Sequence, residues 1–217
     1  MSRLRNFKEI NISYCKNAEL PRGIGKIPNL EVLLFHFNNC ESLPEDIGNL
    51  KKLKTLNLEY NNLKELPNFS NLKNLVILHL NKNKELSSVP EGFENLQNLE
   101  ILNMSYLNIT EFPESITKLT NLQELYLSNN KITSVPKEIG NLQNLKQLNL
   151  MENEITSIPD EIGNLQNLRN LYLSFNKLTS VPSTLVNLKN IDTITLWENE
   201  IESVPESLKE LGKKIRI

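Results

Sequence analysis

The sequence predicts an α/β repeat fold, a right-handed solenoid with a parallel concave β-sheet and short 3₁₀ or irregular segments on its convex side. Three observations predict it: prolines at a constant interval, a leucine pattern that ends at each proline, and an asparagine at a fixed place in that pattern. A fixed period of roughly 20 to 29 residues is typical of such solenoids. We expect one domain over 1–217, with nine repeats of 23 residues and a C-terminal cap at 206–217.

The prolines set the repeat length. Nine of the ten prolines recur at intervals of 23 residues, and only Pro28 lies outside this register. A proline fits a bend that needs no N–H donor and whose φ is already set. We therefore expect a bend at the same place in every coil, at Pro21, Pro44, Pro67, Pro90, Pro113, Pro136, Pro159, Pro182 and Pro205.

The leucine pattern predicts one short strand per coil. Residues 122–136 read LQELYLSNNKITSVP, and residues 145–159 read LKQLNLMENEITSIP. The alternation of Leu125 and Leu127 is the period of a strand whose leucines point inward. One coil cannot bury its apolar face alone, so stacked coils share a continuous core. The stretch from each proline to the next strand is too short for a long helix.

The asparagine predicts a ladder of buried amides. The strand's hydrogen bonds stop where the chain turns, and an amide both donates and accepts, so it can satisfy buried backbone groups there. Cys15 and Leu107 take this position in two repeats, and Leu107 is expected to cost the ladder one link. Residues 67–108 are the least regular, with one residue added between Asn83 and Leu86. The ladder residues are Asn38, Asn61, Asn83, Asn130, Asn153, Asn176 and Asn199.

These residues make the chain resemble the 23-residue leucine-rich-repeat class with the consensus LPxxIGNLxNLxxLxLxxNxL. Residues 136–150 and 159–173 match it nearly residue for residue, and the resemblance covers essentially the whole chain. That class includes Ras-pathway scaffolds, Scribble-type polarity proteins, plant intracellular Ras-group proteins and bacterial proteins, spirochaete ones among them. The resemblance implies the fold but no single partner, because the family binds many unrelated proteins. The abundance of asparagine and lysine suits a bacterium with an AT-rich genome.

Composition narrows the classes of partner. The formal net charge is -2 with a pI near 5.9, which argues against a nucleic-acid binder. No apolar run approaches the roughly 20 residues that span a bilayer. Residues 1–9 contain no apolar h-region, so the chain as given predicts a cytoplasmic protein, or a secreted or surface protein whose leader has been removed. Cys15 and Cys40 are expected to be two buried thiols rather than a disulfide.

The solvent-facing residues of the strands are the candidate binding site. In each coil the first, third, fifth and sixth positions, counted from the start of the strand, form columns that run from coil to coil. Apolar and aromatic residues there are not needed by the core, and such anchors are typical of protein interfaces. The alternative is that neighbouring aromatic residues pack on one another. The candidate partner-binding residues are Val32, Leu34, His36, Phe37, Tyr60, Ile77, Ile101, Tyr106, Tyr126, Tyr172, Phe175 and Trp197.

No catalytic chemistry is predicted. His36 and His79, with Glu59 between them, are expected to be solvated, because zinc needs three or four convergent ligands. The glycines follow the repeat and are interpreted as turn residues rather than a phosphate loop; they are Gly23, Gly25, Gly48, Gly140 and Gly163. We therefore expect no catalytic residue, cofactor or metal. Leucine-rich-repeat proteins that activate GTPases have longer repeats with a helix in each coil, so that enzyme class is the least favoured.

Two functional hypotheses remain. The first is a module that binds a protein partner on its concave face, including a bacterial protein that engages host molecules. The second is an architectural solenoid that self-associates as a homodimer through its N-terminal edge, where the strand at residues 7–13 has a coil on one side only. That edge could instead be covered by residues 1–6, or by a cap that preceded this sequence.

Overall fold

The computed structural model describes residues 6–217. They form two compact units, unit 1 (residues 6–108) and unit 2 (Ile109–Ile217). Both units are built from the same coil, in which a three-residue strand is followed by a turn and an extended return. The single domain expected over 1–217 stays a prediction.

Each unit contains parallel strands in chain order. Within each unit, neighbouring strands pair in register, so that Leu33 lies beside Leu56, and Leu148 beside Leu171. Unit 1 contains β1 (Glu9–Asn11), β2 (Val32–Leu34), β3 (Thr55–Asn57), β4 (Ile77–His79) and β5 (Ile101–Asn103). Unit 2 contains β6 (Glu124–Tyr126), β7 (Gln147–Asn149), β8 (Asn170–Tyr172), β9 (Thr193–Thr195) and β10 (Ile215–Arg216).

Short 3₁₀ helices follow the prolines, as the sequence predicts. Pro136 and Pro159 precede two of them in an extended conformation that starts the segment. No helix among residues 6–217 is long and apolar enough to cross a membrane. The 3₁₀ helices are Ile24–Lys26, Glu45–Asn49, Phe93–Asn95, Glu114–Lys118, Lys137–Asn141, Asp160–Asn164, Ser183–Asn187 and Glu206–Lys214, the last of which is kinked at Gly212.

The core of each unit is a stack of inward-pointing leucine and isoleucine residues. The central residue of each complete three-residue strand from β2 to β9 is fully buried, because alternate residues of a strand face opposite sides. Full burial of each such side chain stabilises the fold by about 1.5–3 kcal/mol. These residues are Leu33, Leu56, Leu78, Leu102, Leu125, Leu148, Leu171 and Ile194.

The asparagines link each coil to the coil before it. The amide nitrogen of Asn153 donates to the carbonyl of Leu127 in the preceding coil (2.9 Å) and to Leu150 in its own coil (3.1 Å). Its carbonyl oxygen accepts the N–H of Ile132 (3.1 Å). The same three bonds form at Asn61, Asn83, Asn176 and Asn199.

The missing link at Leu107 is compensated within the preceding coil. No side-chain amide is present at residue 107 to accept the N–H of Leu86. The residue added between Asn83 and Leu86 closes a tight turn instead, and Leu86 donates to the backbone carbonyl of Asn83 (3.0 Å). The carbonyl of Leu86 still accepts the N–H of Asn108 (3.0 Å). The insertion therefore supplies the acceptor that the substitution removes.

The glycine interpretation needs a correction. Of the five glycines taken as turn residues, only Gly23 has a left-handed backbone, with φ of 98°. The others are required by close approach between coils. A Cβ at Gly140 would lie 2.9 Å from the carbonyl oxygen of Glu161, and one at Gly163 would lie 2.5 Å from that of Thr184. Absence of a side chain, rather than freedom in φ, is what these positions need.

The C-terminal cap adds a strand that the sequence analysis does not predict. Leu208 and Leu211 are buried against the last coil, as expected for a cap. Beyond them β10 pairs with β9, and the N–H of Leu196 donates to the carbonyl of Arg216 (2.7 Å). Nine strands are predicted, and the tenth arises because the exposed edge of β9 offers unpaired donors to the following chain.

The two cysteines do not have the same environment. Cys40 is buried as expected, its thiol donates to the carbonyl of Ser42 (2.9 Å), and burial raises its pKa. Cys15 is exposed, so the expectation of two buried thiols is wrong for it. Among the described residues the first coil has a neighbouring coil on one side only, which leaves the turn at Cys15 uncovered. Both thiols are free.

We predict that Asn153→Ala destabilises the fold more than a surface change does. The substitution leaves the N–H of Ile132 without a partner and removes one of the two amide donors to each of the carbonyls of Leu127 and Leu150. The expected loss in the free energy of unfolding is about 1–3 kcal/mol. Chemical denaturation measures it, with the exposed Lys146→Ala as the control. An equal loss in the two variants would show that the asparagine bonds contribute nothing net.

Candidate functional site

An aliphatic row lies on the concave face of unit 1, by which we mean the solvent-facing side of its strands. Strand pairing places Val32, Thr55, Ile77 and Ile101 side by side at the first position of consecutive coils. All four are half-buried, whereas the leucines that follow them in the chain are fully buried. Leu34 lies at the third position, also half-buried. These aliphatic side chains are therefore accessible and are not part of the core.

An aromatic stack runs along one side of the same face. The ring centroids of Tyr14 and Phe37 lie 4.7 Å apart and those of Phe37 and Tyr60 lie 4.0 Å apart, with nearly parallel ring planes. His36 meets the edge of Tyr14 at 5.2 Å and approaches the hydroxyl of Ser13 through Nδ1 at 2.9 Å. Mutual packing of aromatic residues, the alternative considered from the sequence, thus occurs within this group.

A lysine continues the aromatic stack. The ammonium nitrogen of Lys82 lies 2.9 Å from the ring centroid of Tyr106 and 6.0 Å from that of Tyr60. Cation–π contacts of this kind contribute roughly 0.5–2 kcal/mol, depending on exposure. The ammonium group of Lys82 therefore lies between Tyr60 and Tyr106, whose side chains remain partly accessible.

The stack forms on an unusual backbone. The sixth position of every coil has a left-handed conformation with φ between 51° and 63°. Asn129 suits this region, but for most side chains it costs roughly 1–2 kcal/mol. The chain turns here because the next position must direct its side chain inward, where most coils have a ladder asparagine. The residues concerned are Tyr14, Phe37, Tyr60, Lys82, Tyr106, Asn129, Glu152, Phe175 and Glu198.

Unit 2 exposes a different set of residues at the equivalent positions. Phe175 is 46% exposed and Trp197 is 44% exposed, although both are large and aromatic. The N–H of Phe175 donates to the carbonyl of Trp197 (2.8 Å), so the two residues lie in adjacent coils. Glu152 and Glu198 occupy the sixth position on either side of Phe175 and are exposed. The unit thus presents aromatic residues between carboxylates.

Two hydroxyl groups on this face have no hydrogen-bond partner. Ser174 is fully buried and Thr195 is 5% exposed, and both side-chain oxygens lack a partner in the structure. Ser174 precedes Phe175 in the chain, and Thr195 pairs with Tyr172 across adjacent strands. Unsatisfied buried hydroxyls are uncommon in proteins. The same face of unit 1 also contains an unsatisfied buried atom, Oδ1 of Asn81.

A family model shows the relationship of the chain. The model described as a leucine-rich repeat region matches residues 1–126, 79–181 and 113–216. The chain belongs to the leucine-rich-repeat family. No curated protein matches it by sequence.

Solved leucine-rich-repeat structures have the same fold. A protein of Leptospira interrogans matches with a TM-score of 0.78 and 31% identity over 99% of this chain and 62% of that one. The ectodomain of the Arabidopsis thaliana receptor kinase GASSHO1/SCHENGEN3, in complex with CASPARIAN STRIP INTEGRITY FACTOR 2, matches with a TM-score of 0.83 and 28% identity over 98% and 26%. Internalin C2 of Listeria monocytogenes matches with a TM-score of 0.76 and 27% identity over 90% of this chain and 83% of that one. The chain thus spans under two thirds of the first two proteins.

The structure separates the predicted residues into two groups. In unit 1 it brings together His36, Phe37 and Tyr60 in the aromatic stack. Tyr106 contacts Lys82, and Val32, Leu34, Ile77 and Ile101 form the aliphatic group. In unit 2, Tyr126, Tyr172, Phe175 and Trp197 all lie on the concave face. Among residues 6–217 no three metal-ligating side chains cluster, and His36 and His79 belong to different coils.

Four solvent-facing residues that are not among the candidate partner-binding residues join these groups in the structure. Tyr14 and Lys82 extend the aromatic stack of unit 1, and Glu152 and Glu198 border Phe175 in unit 2. The signal for most of them was present, because these residues also occupy the sixth position of the leucine-rich repeat. Counting only apolar and aromatic residues as candidates excluded the charged ones.

Tyr126 is held as a neutral hydrogen-bond donor. Its hydroxyl donates to Oε2 of Glu124 (2.7 Å) within β6. Burial raises the pKa of Tyr126 far above its usual value, and the hydrogen bond and the charge of Glu124 raise it further. The neutral phenol is thus favoured in the folded leucine-rich-repeat unit.

We predict that Tyr126 makes stability fall at alkaline pH. A raised pKa in the folded state gives stability that is complete below the unfolded tyrosine pKa, about 10. That stability is lost as pH rises towards the folded value. Tyr126→Phe should therefore flatten the decline in unfolding free energy above about pH 10. Denaturation across a pH series measures it, with the exposed Tyr14→Phe as control. An unchanged slope in Tyr126→Phe would contradict the prediction.

Proposed function

We propose that this leucine-rich-repeat chain is a protein-binding module that uses its concave face, and that it is not an enzyme. One observation carries the proposal: accessible aliphatic residues in register at Val32, Ile77 and Ile101, on the side of the strands that the core does not need. Contiguous apolar patches on a soluble surface mark interaction sites more often than scattered residues do.

The aromatic stack supports the same proposal. Tyr14 is 71% exposed and Tyr60 is 42% exposed, even though Phe37 packs between them. Rings fixed by stacking lose little side-chain entropy when a partner covers them. Tyrosine also offers a hydroxyl that satisfies polar groups of the partner. The aliphatic row and the stack thus supply an apolar centre and an aromatic border.

The matched structures support a protein or peptide as the partner. The GASSHO1/SCHENGEN3 ectodomain was solved with a protein factor, and it resembles this chain at 28% identity. Two other matched structures come from the bacteria Leptospira interrogans and Listeria monocytogenes. As part of the proposal, we infer that this chain is a bacterial protein that engages host molecules.

We predict that Leu34→Asp combined with Phe37→Asp abolishes partner binding while the fold persists. Neither side chain is in the core, and aspartate tolerates the left-handed backbone at residue 37. A partner captured by unbiased pull-down is purified, and calorimetry gives its affinity for each variant. The affinity should fall at least about 30-fold, because one hot-spot residue contributes about 2 kcal/mol or more.

The matched control adds two charges elsewhere in unit 1. Ser87 and Ser88 are exposed, so Ser87→Asp with Ser88→Asp should leave the affinity unchanged. Thermal unfolding of both variants checks that the fold is intact. Unchanged affinity in the Leu34 and Phe37 variant would move the site to the residues of unit 2 or away from the concave face.

Self-association is the second candidate function. An apolar recess of about 440 Å³ opens at the first coil and is lined mainly by Phe7, Ile10, Ile12, Ile24 and Ile27. Phe7 is 46% exposed, and among the described residues β1 pairs only with β2. A second copy of the chain would cover the recess and satisfy the strand edge. The alternative that residues 1–6 cover this edge falls mostly outside the described residues.

Light scattering across a concentration series tests this second candidate. If the N-terminal edge forms a homodimer, the mass should rise towards twice the monomer value, and Phe7→Glu should shift the transition to higher concentration. The charge would then lie in an apolar contact, which is unfavourable unless it is paired. A monomer at every concentration would end the self-association hypothesis for this edge.

A further inference from the structure

The concave face of unit 2 carries carboxylates on β6 to β9 and in the turns after them, and its one basic side chain is Arg216 of β10, beside Thr195. Its residues at the first, third, fifth and sixth positions of four coils include Glu124, Glu152 and Glu198, and include no lysine, arginine or histidine. Glu124 accepts the hydrogen bond of Tyr126. The other two carboxylates, those of Glu152 and Glu198, occupy the sixth position in the coils directly before and after the coil of Phe175.

The backbone fixes the spacing of these groups. The N–H of Asn153 donates to the carbonyl of Phe175, and the N–H of Asn176 donates to that of Glu198, each at 3.2 Å. Consecutive coils are about 4.8 Å apart, so the backbones of Glu152 and Glu198 lie about 10 Å apart with Phe175 midway. All three share a left-handed φ between 53° and 59°. Their side chains therefore leave the backbone in the same way.

Two of the neighbouring cations are engaged elsewhere. Lys177 pairs with Glu154 at 2.7 Å, and Arg169 lies 3.7 Å from Asp192. None of the ion pairs found among residues 6–217 includes Glu152 or Glu198. The two carboxylates beside Phe175 therefore present negative charge that the protein itself does not neutralise.

Aromatic surface and a buried hydroxyl complete this acidic–aromatic patch, defined by Glu152, Phe175, Trp197 and Glu198. Nearly half of each aromatic side chain is exposed. The face of an aromatic ring attracts a cation, most strongly at tryptophan. The hydroxyl of Ser174, next to Phe175, is fully buried and has no partner. A guest with N–H donors would find aromatic surface and two carboxylates together, with the unsatisfied hydroxyl of Ser174 buried next to Phe175.

We propose that the acidic–aromatic patch binds an arginine side chain in a basic segment of the protein partner. A guanidinium is planar, so it stacks on an aromatic ring while its N–H groups donate to carboxylates at its edges. Lysine offers a point charge with no plane to stack. This inference rests on the proposed function, because it takes the ligand to be a protein. It adds the type of side chain that unit 2 binds.

The only tryptophan of the chain makes the test specific. The probe is the peptide acetyl-Gly-Arg-Gly-Arg-Gly-amide, titrated into the full chain while the fluorescence of Trp197 is recorded. Peptides with lysine or citrulline in place of arginine are the comparison probes. A saturable change should occur with arginine, should weaken with lysine, and should be absent with citrulline, which keeps the shape but lacks the charge. Added salt should weaken the arginine response.

Variants at the carboxylates test which residues carry the binding. Glu152→Gln with Glu198→Gln should weaken the arginine peptide about 5-fold or more, because two partly exposed ion pairs are lost. Glu138→Gln with Glu161→Gln removes the same charge from the 3₁₀ segments and should have no effect. An equal citrulline response, or equal weakening by the two double variants, would overturn the proposal.

The outcome is separable from that of the proposed function. Loss of partner binding on changing Leu34 and Phe37 concerns unit 1, whereas the peptide titration reports on unit 2 through Trp197. If the partner binds but the arginine peptide gives no signal, the patch proposal fails alone. If the peptide binds while the unit 1 variant keeps full partner affinity, the proposed placement in unit 1 fails and the patch stands.

Discussion

The constraint on which the structure depends is the satisfaction of backbone groups where each short strand ends. A strand of three residues leaves buried N–H and C=O groups at every turn, in a place that water does not reach. The side-chain amides of residues such as Asn61 and Asn153 satisfy one donor and two acceptors each. The coil at Leu107 supports this view, because the chain there does not leave the gap open. Leu86 turns back onto the carbonyl of Asn83 instead.

The same constraint sets the backbone of the proposed binding surface. The ladder position must point inward, so the residue before it is driven into a left-handed conformation in every coil. That residue is exposed, repeated at a constant spacing, and disfavoured for most side chains. Evolution could place asparagine there at little cost, as at Asn129, yet Tyr14, Phe37, Tyr60 and Phe175 occupy it. Large aromatic residues kept at a disfavoured backbone position are more readily explained by a function than by folding.

The sequence predicts the repeat, the strands, the ladder and the identity of the solvent-facing columns, because all of these follow from a period. What it does not predict depends on contacts between particular neighbours. The tenth strand forms because β9 leaves an unpaired edge, and Gly163 is needed because Thr184 lies close to it. The stacking of Phe37 and the contact of Lys82 with Tyr106 also could not be predicted, because they depend on side-chain positions. The sequence divides the candidate residues into an N-terminal and a C-terminal group, but it does not predict which of their side chains are in contact.

Comparison of the two units shows where specificity can reside. The backbone of the sixth position is nearly constant, with φ between 51° and 63°, so it cannot distinguish one ligand from another. In unit 1 the rings of Tyr60 and Tyr106 share Lys82, and the chain supplies its own cation to the aromatic surface. In unit 2 carboxylates flank Phe175, and Arg216 of β10 is the one basic side chain on the face. The aromatic surface of unit 1 therefore has a cation of the chain against it, whereas that of unit 2 is bordered by carboxylates. Exchange of side chains at this one repeated position can therefore change partner chemistry without altering the solenoid, because none of these side chains contributes to the leucine core or to the asparagine ladder.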